Sequence, residues 1–317
     1  MTDKPVSLTE FLLEEEREFP ASTGSFTHLI TQIAFAGKIV ASHIKQAGLV
    51  DILGMTGEKN SYEEEVIKMD SFSNDLLIDT LSASGQVSAI ASEEMAEFHT
   101  IKDNSGEYVV FLDPLDGSSN TDIDVTVGTI FSIYHKNDCD PLPKGEKIVA
   151  AGYILYGTSV MFVYSCGSGV NGFTLDPSVG DFLLSHPDIQ IPKRGDIYSV
   201  NEASYPLWEK KLQDYIRHIK ENQNATARYI GSMVADVHRT LLKGGIFLYP
   251  KDEMHPTGKL RLLFEVNSMS YLIIQAGGKA VSGVGSPLVI IPEDLHQRVP
   301  IALGSPENID EYRKIVL

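Results

Sequence analysis

Hydrophobic and polar positions along this chain follow two periods, and the switch between them separates helical stretches from strand-rich ones. Between Thr27 and Ala47, the residues Ile30, Ile33, Ala34, Gly37, Ala41 and Ile44 recur at helical spacing, with Gly48 as the stop. Ahead of it, Ser7 and Glu10 have the spacing of a capping box that opens a short acidic helix ending before Pro20. A third helix is predicted over Asn74–Ser84. Strands follow over Val87–Ala91, Tyr108–Leu112, Thr126–His135, Val149–Tyr156, Val160–Ser165 and Gly172–Leu175. Helices return after Pro206 and Ser232, and a strand over Gly245–Tyr249 precedes a helix over Arg261–Gln275. The polar, proline-bearing segment Leu184–Gly195 is the best boundary. It divides an α+β half, residues 1–190, from an α/β half, residues 191–317.

Two of these strands run into carboxylates. Tyr108–Leu112 leads into Asp113-Pro-Leu-Asp-Gly-Ser-Ser-Asn120, where Pro114 cannot donate to a ladder and Gly117 lets a ligand approach the backbone. A helix starting near Ser118 would aim free N–H groups at an anion. Acids beside an anion site need a cation between them, and hard divalent ions take oxygen ligands. An Asp-Gly turn with no further role has the same pattern. A second alternating segment, Gln86–Ala91, ends in Ser92-Glu93-Glu94, and a doublet that closes an apolar strand differs from one on a solvated helix face. Near the C-terminus, Glu265 lies among Leu263, Phe264 and Val266, where an acid needs a partner. A metal is one such partner and Arg261 is the other.

Composition narrows the function. The 317 residues are 43% hydrophobic, enough for one large core or two medium ones. The net charge of -17 argues against nucleic acid and anionic membranes as partners. Two cysteines, Cys139 and Cys166, imply no disulfide framework, and the N-terminus lacks a signal-type apolar core, so a cytoplasmic location is expected. His238 reads as a structural or surface histidine rather than a ligand, and Trp208 and Tyr215 as helix packing.

In its ordered blocks the sequence resembles the class I fructose-1,6-bisphosphatases, within the inositol-phosphatase-like superfamily of magnesium-dependent phosphatases. The resemblance runs through Thr23-Gly24, Phe72–Asp75, Ser92–Glu94, Asp113–Asn120, Arg228–Arg239, Gly244–Pro250, Gly258–Glu265, Ala276–Gly278, His296–Arg298 and Leu303–Pro306. It implies a layered αβαβα sandwich of the sugar phosphatase type. It places Glu93, Asp113, Asp116 and Glu265, with the carbonyl of Leu115, on the family's ligands for two or three Mg2+ ions, with Mn2+ as the alternative. Glu94 and Asp70 match acids associated with activating the attacking water, and Glu64 matches an acid on a mobile loop, here Gly57–Glu65. The backbone of Gly117 and Ser118, bordered by Asp116, matches the site of the reacting 1-phosphate, with Lys259. Asn201, Tyr229 and Tyr249 match residues that hold the distal 6-phosphate. Arg228 matches an arginine that reaches a neighbouring subunit's site, so a homotetramer, and at least a dimer, is implied.

The chain also departs from that pattern. Relatives inhibited by AMP use a Thr-Gly loop, here Thr23–Thr27, with a Lys-Tyr pair and an Arg on neighbouring strands, where this chain has Glu107-Tyr108 and His135. Weak or absent AMP inhibition is expected. Cys139 lies in the loop Asp138–Pro143, without the longer cysteine-bearing insertion of light-regulated plastid relatives, so no thiol switch is expected. A sedoheptulose-1,7-bisphosphatase or dual-specificity enzyme shares the metal site. The inositol monophosphatase branch supplies a late Trp-Asp motif that is missing here, and a non-catalytic sugar-phosphate sensor would not need every matched carboxylate.

Overall fold

The computed structural model describes residues 4–17, 23–46, 55–59, 65–102, 106–139, 141–223 and 225–317. Gly48, Glu64 and residues 60–64 of the expected lid lie outside these.

Chain order explains the layers. Helices α1 (Leu8–Glu16) and α2 (Ser25–Ile44) come first, then a short antiparallel hairpin of β1 (Met55–Lys59) and β2 (Glu65–Ile67), then α3 (Lys68–Ala83). Ser7 caps α1 by accepting the Glu10 N–H at 3.2 Å, while the Glu10 carboxylate goes to Lys4 Nζ at 2.6 Å and leaves the reciprocal half of the capping box unused. Helix α3 begins six residues ahead of the predicted Asn74. Its first turn therefore holds Asp70, a position where an acid meets unpaired N–H groups.

The strands β3 (Val87–Ser92), β4 (His99–Thr100), β5 (Tyr108–Asp116), β6 (Val127–His135), β7 (Ala150–Tyr156), β8 (Val160–Ser165), β9 (Asn171–Asp176) and β10 (Asp181–His186) form one sheet, ordered β10-β9-β8-β7-β6-β5-β3-β4. Neighbours pair antiparallel except β3 with β5. The predicted boundary at Leu184–Gly195 thus starts inside an edge strand, β10. Its Leu184, half-buried against the core below, gives the segment an apolar anchor that its polar neighbours concealed.

A second sheet, ordered β12-β11-β13-β17-β15, collects β11 (Ile197–Ser199), β12 (Thr226–Ala227), β13 (Ile246–Tyr249), β15 (Lys279–Val281) and β17 (Ile301–Gly304). The remaining strands, β14 (Leu260–Arg261) and β16 (Arg298–Val299), pair with each other. The remaining helices are α4 (Lys210–Gln223), α5 (Met233–Lys243), α6 (Asn267–Gln275) and α7 (Pro306–Val316).

Strand alternation assigns each side chain to a layer. In β6, Phe131 joins the core under α1–α3, while its neighbour Ile130 faces Val234 and Met269 of α5 and α6. In β13, Phe247 faces that same middle helical layer, whereas Ile246 and Leu248 pack with Tyr215 and Ile309 of α4 and α7. The result is an αβαβα sandwich in which helices of the second half pack directly on the sheet of the first. None of the described helices is long and apolar enough to cross a membrane.

Candidate active site

The candidate site lies where β3, β5 and the segment between β14 and α6 meet. The parallel pairing of Ser92 with Leu112 brings the ends of β3 and β5 level, and the Glu93 N–H donates to the Leu112 carbonyl at 2.9 Å. On β5, Val109 and Phe111 pack with Leu263 and Phe264, and the alternation carries Asp113 to that face. One carboxylate oxygen from each of Glu93, Asp113 and Glu265 converges there, all within 4.8 Å of one another. Asp113 and Glu265 are buried and Glu93 is half-buried.

A bulge shapes the end of β5. Asp113 pairs with Ile130 and Asp116 with Gly128, so β5 carries one residue more than β6 over that interval. Pro114, which has no N–H to give, occupies the bulge, and its carbonyl accepts from Thr129 Oγ1 at 2.8 Å. The Leu115 N–H turns back onto Asp113 Oδ1 at 3.1 Å. The expected strand end at Leu112 is therefore corrected: a bulge, not a stop, absorbs the proline and carries the ladder on to Asp116.

Gly117 follows with φ 75°, and a Cβ placed on it would lie 2.6 Å from the Ser232 Cβ. Both the backbone and the space demand glycine. Gly117→Ala is expected to destabilise the protein by about 1–3 kcal/mol, read as a lowered midpoint in denaturant, and an unchanged midpoint would refute the packing argument. The predicted helix at Ser118 is a six-residue 3-10 turn, Ser118–Ile123, closed by Asp124 at φ 57°. So short a turn sums few peptide dipoles, and an anion there relies on individual N–H groups.

Asp116 stands apart from the convergent three. It accepts from Ser232 Oγ at 2.7 Å, from the Val234 N–H at 2.8 Å and from the Met233 N–H at 3.3 Å, which makes it the acceptor at the N-terminus of α5. Burial raises its pKa, and the Val234, Ser232 and Met233 bonds work against that rise.

Electrostatics single out the cluster. Burial, then Glu93, Asp116, Glu265 and Glu94, hold the Asp113 pKa well above the carboxylate range. Burial, then Glu93, does the same for Glu265, opposed by the Arg261 N–H at 2.6 Å from Glu265 Oε2. The Arg261 guanidinium itself pairs with Glu93. Of the two partners considered for Glu265, Arg261 thus supplies its main-chain N–H, and its guanidinium, paired with Glu93, also favours the charged form of Glu265. The raised acids indicate that one guanidinium does not neutralise the group. Residues 260–266 are also not the helix predicted from Arg261: β14 pairs with β16, and Leu262–Val266 make a π-turn before α6.

A second group gathers around β13. Asn201, Tyr249 and Lys259 line one small cavity with Trp208, Leu248 and Asp252. The Tyr229 and Tyr249 hydroxyls hydrogen-bond, and burial raises both pKa values. Arg228 is exposed and donates to the Ala227 carbonyl at 3.2 Å. Lys259 was expected beside Gly117 and Ser118. It lines the cavity with Asn201 and Tyr249.

Comparison with known proteins matches nearly the whole chain. Residues 6–187 match the family model for the fructose-1-6-bisphosphatase N-terminal domain and residues 191–316 that for its C-terminal domain. The "Fructose-1,6-bisphosphatase class 1" of Persephonella marina is 52% identical over 322 residues, covering 100% of each chain. The chain belongs to the class I fructose-1,6-bisphosphatase family. The cytosolic fructose-1,6-bisphosphatase of Arabidopsis thaliana is 46% identical, covering 98% of this chain and 94% of its own. The holo form of the Leishmania major fructose-1,6-bisphosphatase superposes with a TM-score of 0.94 at 40% identity, covering 98% of this chain and 99% of that one.

Against the family pattern, Glu94 occupies the turn after β3, half-buried, its N–H on Ser92 Oγ at 3.3 Å, and Asp70 is buried in the first turn of α3, which packs on β5. Sequence reading missed two supporting groups. His296 Nε2 lies 2.8 Å from the Met95 carbonyl and its ring is 5.1 Å from that of Phe264, so it ties the turn after Glu93-Glu94 to the Glu265 segment. Ser232 holds Asp116 and packs on Gly117. His296 and Ser232 both stood in the matched blocks, but a pattern of residue types does not say which member touches which.

The structural readings of other residues agree with their surroundings. His238 Nδ1 lies 2.8 Å from the Tyr153 hydroxyl, and burial, then His186, lowers its pKa to about 4. Trp208 and Tyr215 are core residues. Cys139 and Cys166 are free thiols that burial pushes up to about 12, far from the thiolate range a redox switch needs.

Proposed function

We infer that this chain is a Mg2+-dependent phosphatase that hydrolyses the 1-phosphate of D-fructose 1,6-bisphosphate. The observation that carries the reading is the convergence of Glu93, Asp113 and Glu265 within 4.8 Å beside the Asp116–Ser118 turn. All three donors are carboxylates, and two have raised pKa values, so the set fits hard divalent cations and poorly fits anything softer. When bound, such ions supply Lewis acidity toward phosphoryl oxygens and an activated water.

This chain's own residues supply the rest. Glu93, Asp113 and Glu265 hold the charge, with the Leu115 carbonyl in the bulge beside them and Asp116 completing the wall. The Gly117 and Ser118 N–H groups orient the reacting phosphate, and Glu94 with Asp70 accept the proton of the attacking water. Asn201, Tyr229, Tyr249 and Lys259 bind the distal phosphate, with Arg228 reaching a neighbouring subunit. Remote contacts of this kind orient the reacting end. A homotetramer, testable by light scattering, is part of the reading.

AMP is a weak inhibitor or none. The Tyr108 ring stacks on His135 with centroids 5.4 Å apart, Phe26 meets Tyr108 edge-on, and the charges of Glu107 and Glu16 both act on the Tyr108 hydroxyl. A carboxylate facing a nucleotide phosphate costs about 1–4 kcal/mol at 4 Å, where a lysine would attract. The test is phosphate release from fructose 1,6-bisphosphate and sedoheptulose 1,7-bisphosphate with and without Mg2+ and AMP. Mg2+-dependent release from the fructose ester, insensitive to micromolar AMP, is expected. Preference for the sedoheptulose ester would replace the substrate, potent AMP inhibition would end the regulatory part, and release from neither would overturn the function.

A further inference from the structure

Both phosphate regions of the proposed site meet at the N-terminus of one helix, and the group that joins them is a buried acid the mechanism does not use. Asp236, in the first turn of α5, has a fully buried side chain. Its Oδ2 accepts the N–H groups of Ile230 at 3.0 Å and Gly231 at 3.1 Å, and Oδ1 lies 2.8 Å from Arg239 Nη2. At the other end of this segment, the Arg228 N–H donates to the Tyr198 carbonyl at 2.9 Å. Residues 228–232 are thus clamped at both ends, with the Tyr229 hydroxyl on Tyr249 between. The next residues bond Asp116: the Ser232 hydroxyl at 2.7 Å and the Val234 N–H at 2.8 Å. Ser232 also packs on Gly117.

One helical turn therefore holds two acids in different tasks. Asp116 fixes α5 against the reacting-phosphate turn, and Asp236 fixes the distal-phosphate segment against α5. We propose that Asp236 is a positioning residue that sets the spacing between the two phosphate sites by clamping the Arg228–Ser232 segment to the helix that Asp116 anchors. A carboxylate suits the task because it accepts two converging N–H groups while its charge pairs with an arginine. An amide in the same place can keep its one oxygen on those N–H groups only by turning its NH2 donor toward Arg239, and the ion pair that holds the side chain is lost. This role rests on the proposed function, since it presumes that Tyr229 and Arg228 hold the distal phosphate.

The test compares two substrates, fructose 1,6-bisphosphate and fructose 1-phosphate, which lacks the distal group. In Asp236→Asn, KM for the bisphosphate is expected to rise about tenfold or more with kcat within about twofold, while kcat/KM for fructose 1-phosphate stays unchanged. Gly231→Ala is the second variant. Gly231 has φ 90°, and a Cβ there meets nothing nearer than Tyr229 Cε1 at 3.8 Å, so it strains the same segment from the surface and carries the test alone if Asp236→Asn does not fold. Equal losses with both substrates would mark a merely structural role and overturn the proposal, as would an unchanged KM for the bisphosphate. Wild-type protein that handles both substrates with the same KM would instead overturn the assignment of the distal site.

Discussion

Asp113→Asn is expected to make the metal-free protein more stable while removing most of its activity. Asp113 is buried among Glu93, Glu265, Asp116 and Glu94, each of which raises its pKa further after burial itself. An acid whose folded pKa lies above its unfolded one binds protons more readily when folded. It therefore costs stability at every pH above the unfolded value of about 4, and the cost grows until the pH passes the raised folded value. Asparagine removes that charge at nearly constant shape. The metal-free variant should melt higher, by roughly 1–2 °C for each kcal/mol relieved. Its stability should also fall less steeply as the pH rises above about 4. Saturating Mg2+ reverses the order, because a cation that binds the native cluster stabilises the wild type by mass action and the variant has lost a ligand. If the lost ligand removes about 4 kcal/mol of transition-state stabilisation, turnover falls about a thousandfold. Calorimetry with and without Mg2+ decides the matter. A variant that is less stable than wild type in the metal-free state, or that gains as much from Mg2+, would show that the three carboxylates are a structural network.

The legible part of the fold was whatever had a local cause. Helix α2 appeared in the sequence because its apolar residues recur at one clear period, and strands β5 to β8 because they are near-continuous apolar and β-branched runs, all nine residues of β5 being buried. The acids at the strand ends were legible because a carboxylate closing an apolar run contradicts its surroundings. What stayed hidden had a tertiary cause. The early start of α3 at Lys68 leaves Met69 and Asp70 buried against the rest of the protein, which no local pattern announces. The π-turn at Leu262–Val266 is closed by the Asn267 N–H on the Leu262 carbonyl, one residue beyond an α-helical bond, and the uniformly apolar residues 262–264 read as helix whatever their hydrogen bonds. Asp116 was the hardest residue to read. In sequence it is one of two acids in a D-x-x-D spacing, and only the approach of α5, more than 100 residues later, separates its task from that of Asp113. The company of Lys259 was hidden for the same reason, since nothing near Gly258 announces the cavity it shares with Asn201 and Tyr249.

Glu94→Gln is expected to cut kcat by about 10²–10⁴-fold, the range for losing a general base, while the affinities for Mg2+ and substrate stay within about threefold. The geometry separates Glu94 from its neighbour: Glu93 converges with Asp113 and Glu265, whereas Glu94 lies one residue on, near enough for its charge to raise the Asp113 pKa but outside the convergent three. A carboxylate so placed acts on what the cluster holds, not on holding it. Glutamine keeps the shape and the acceptor oxygen and loses only the ability to take a proton, so a fall confined to kcat reports chemistry. Asp70→Asn provides the cross-check, because Asp70 comes from a different element, α3, which packs on both β5 and β3. If both acids act on one water, the double variant should lose far less than the product of the two single losses, since the second substitution removes help from a proton transfer already disabled. Multiplicative losses would place the two acids on different steps. Wild-type turnover in Glu94→Gln would remove it from the proton path and leave Asp70 as the base, and a matching rise in the Mg2+ requirement would make Glu94 a ligand instead.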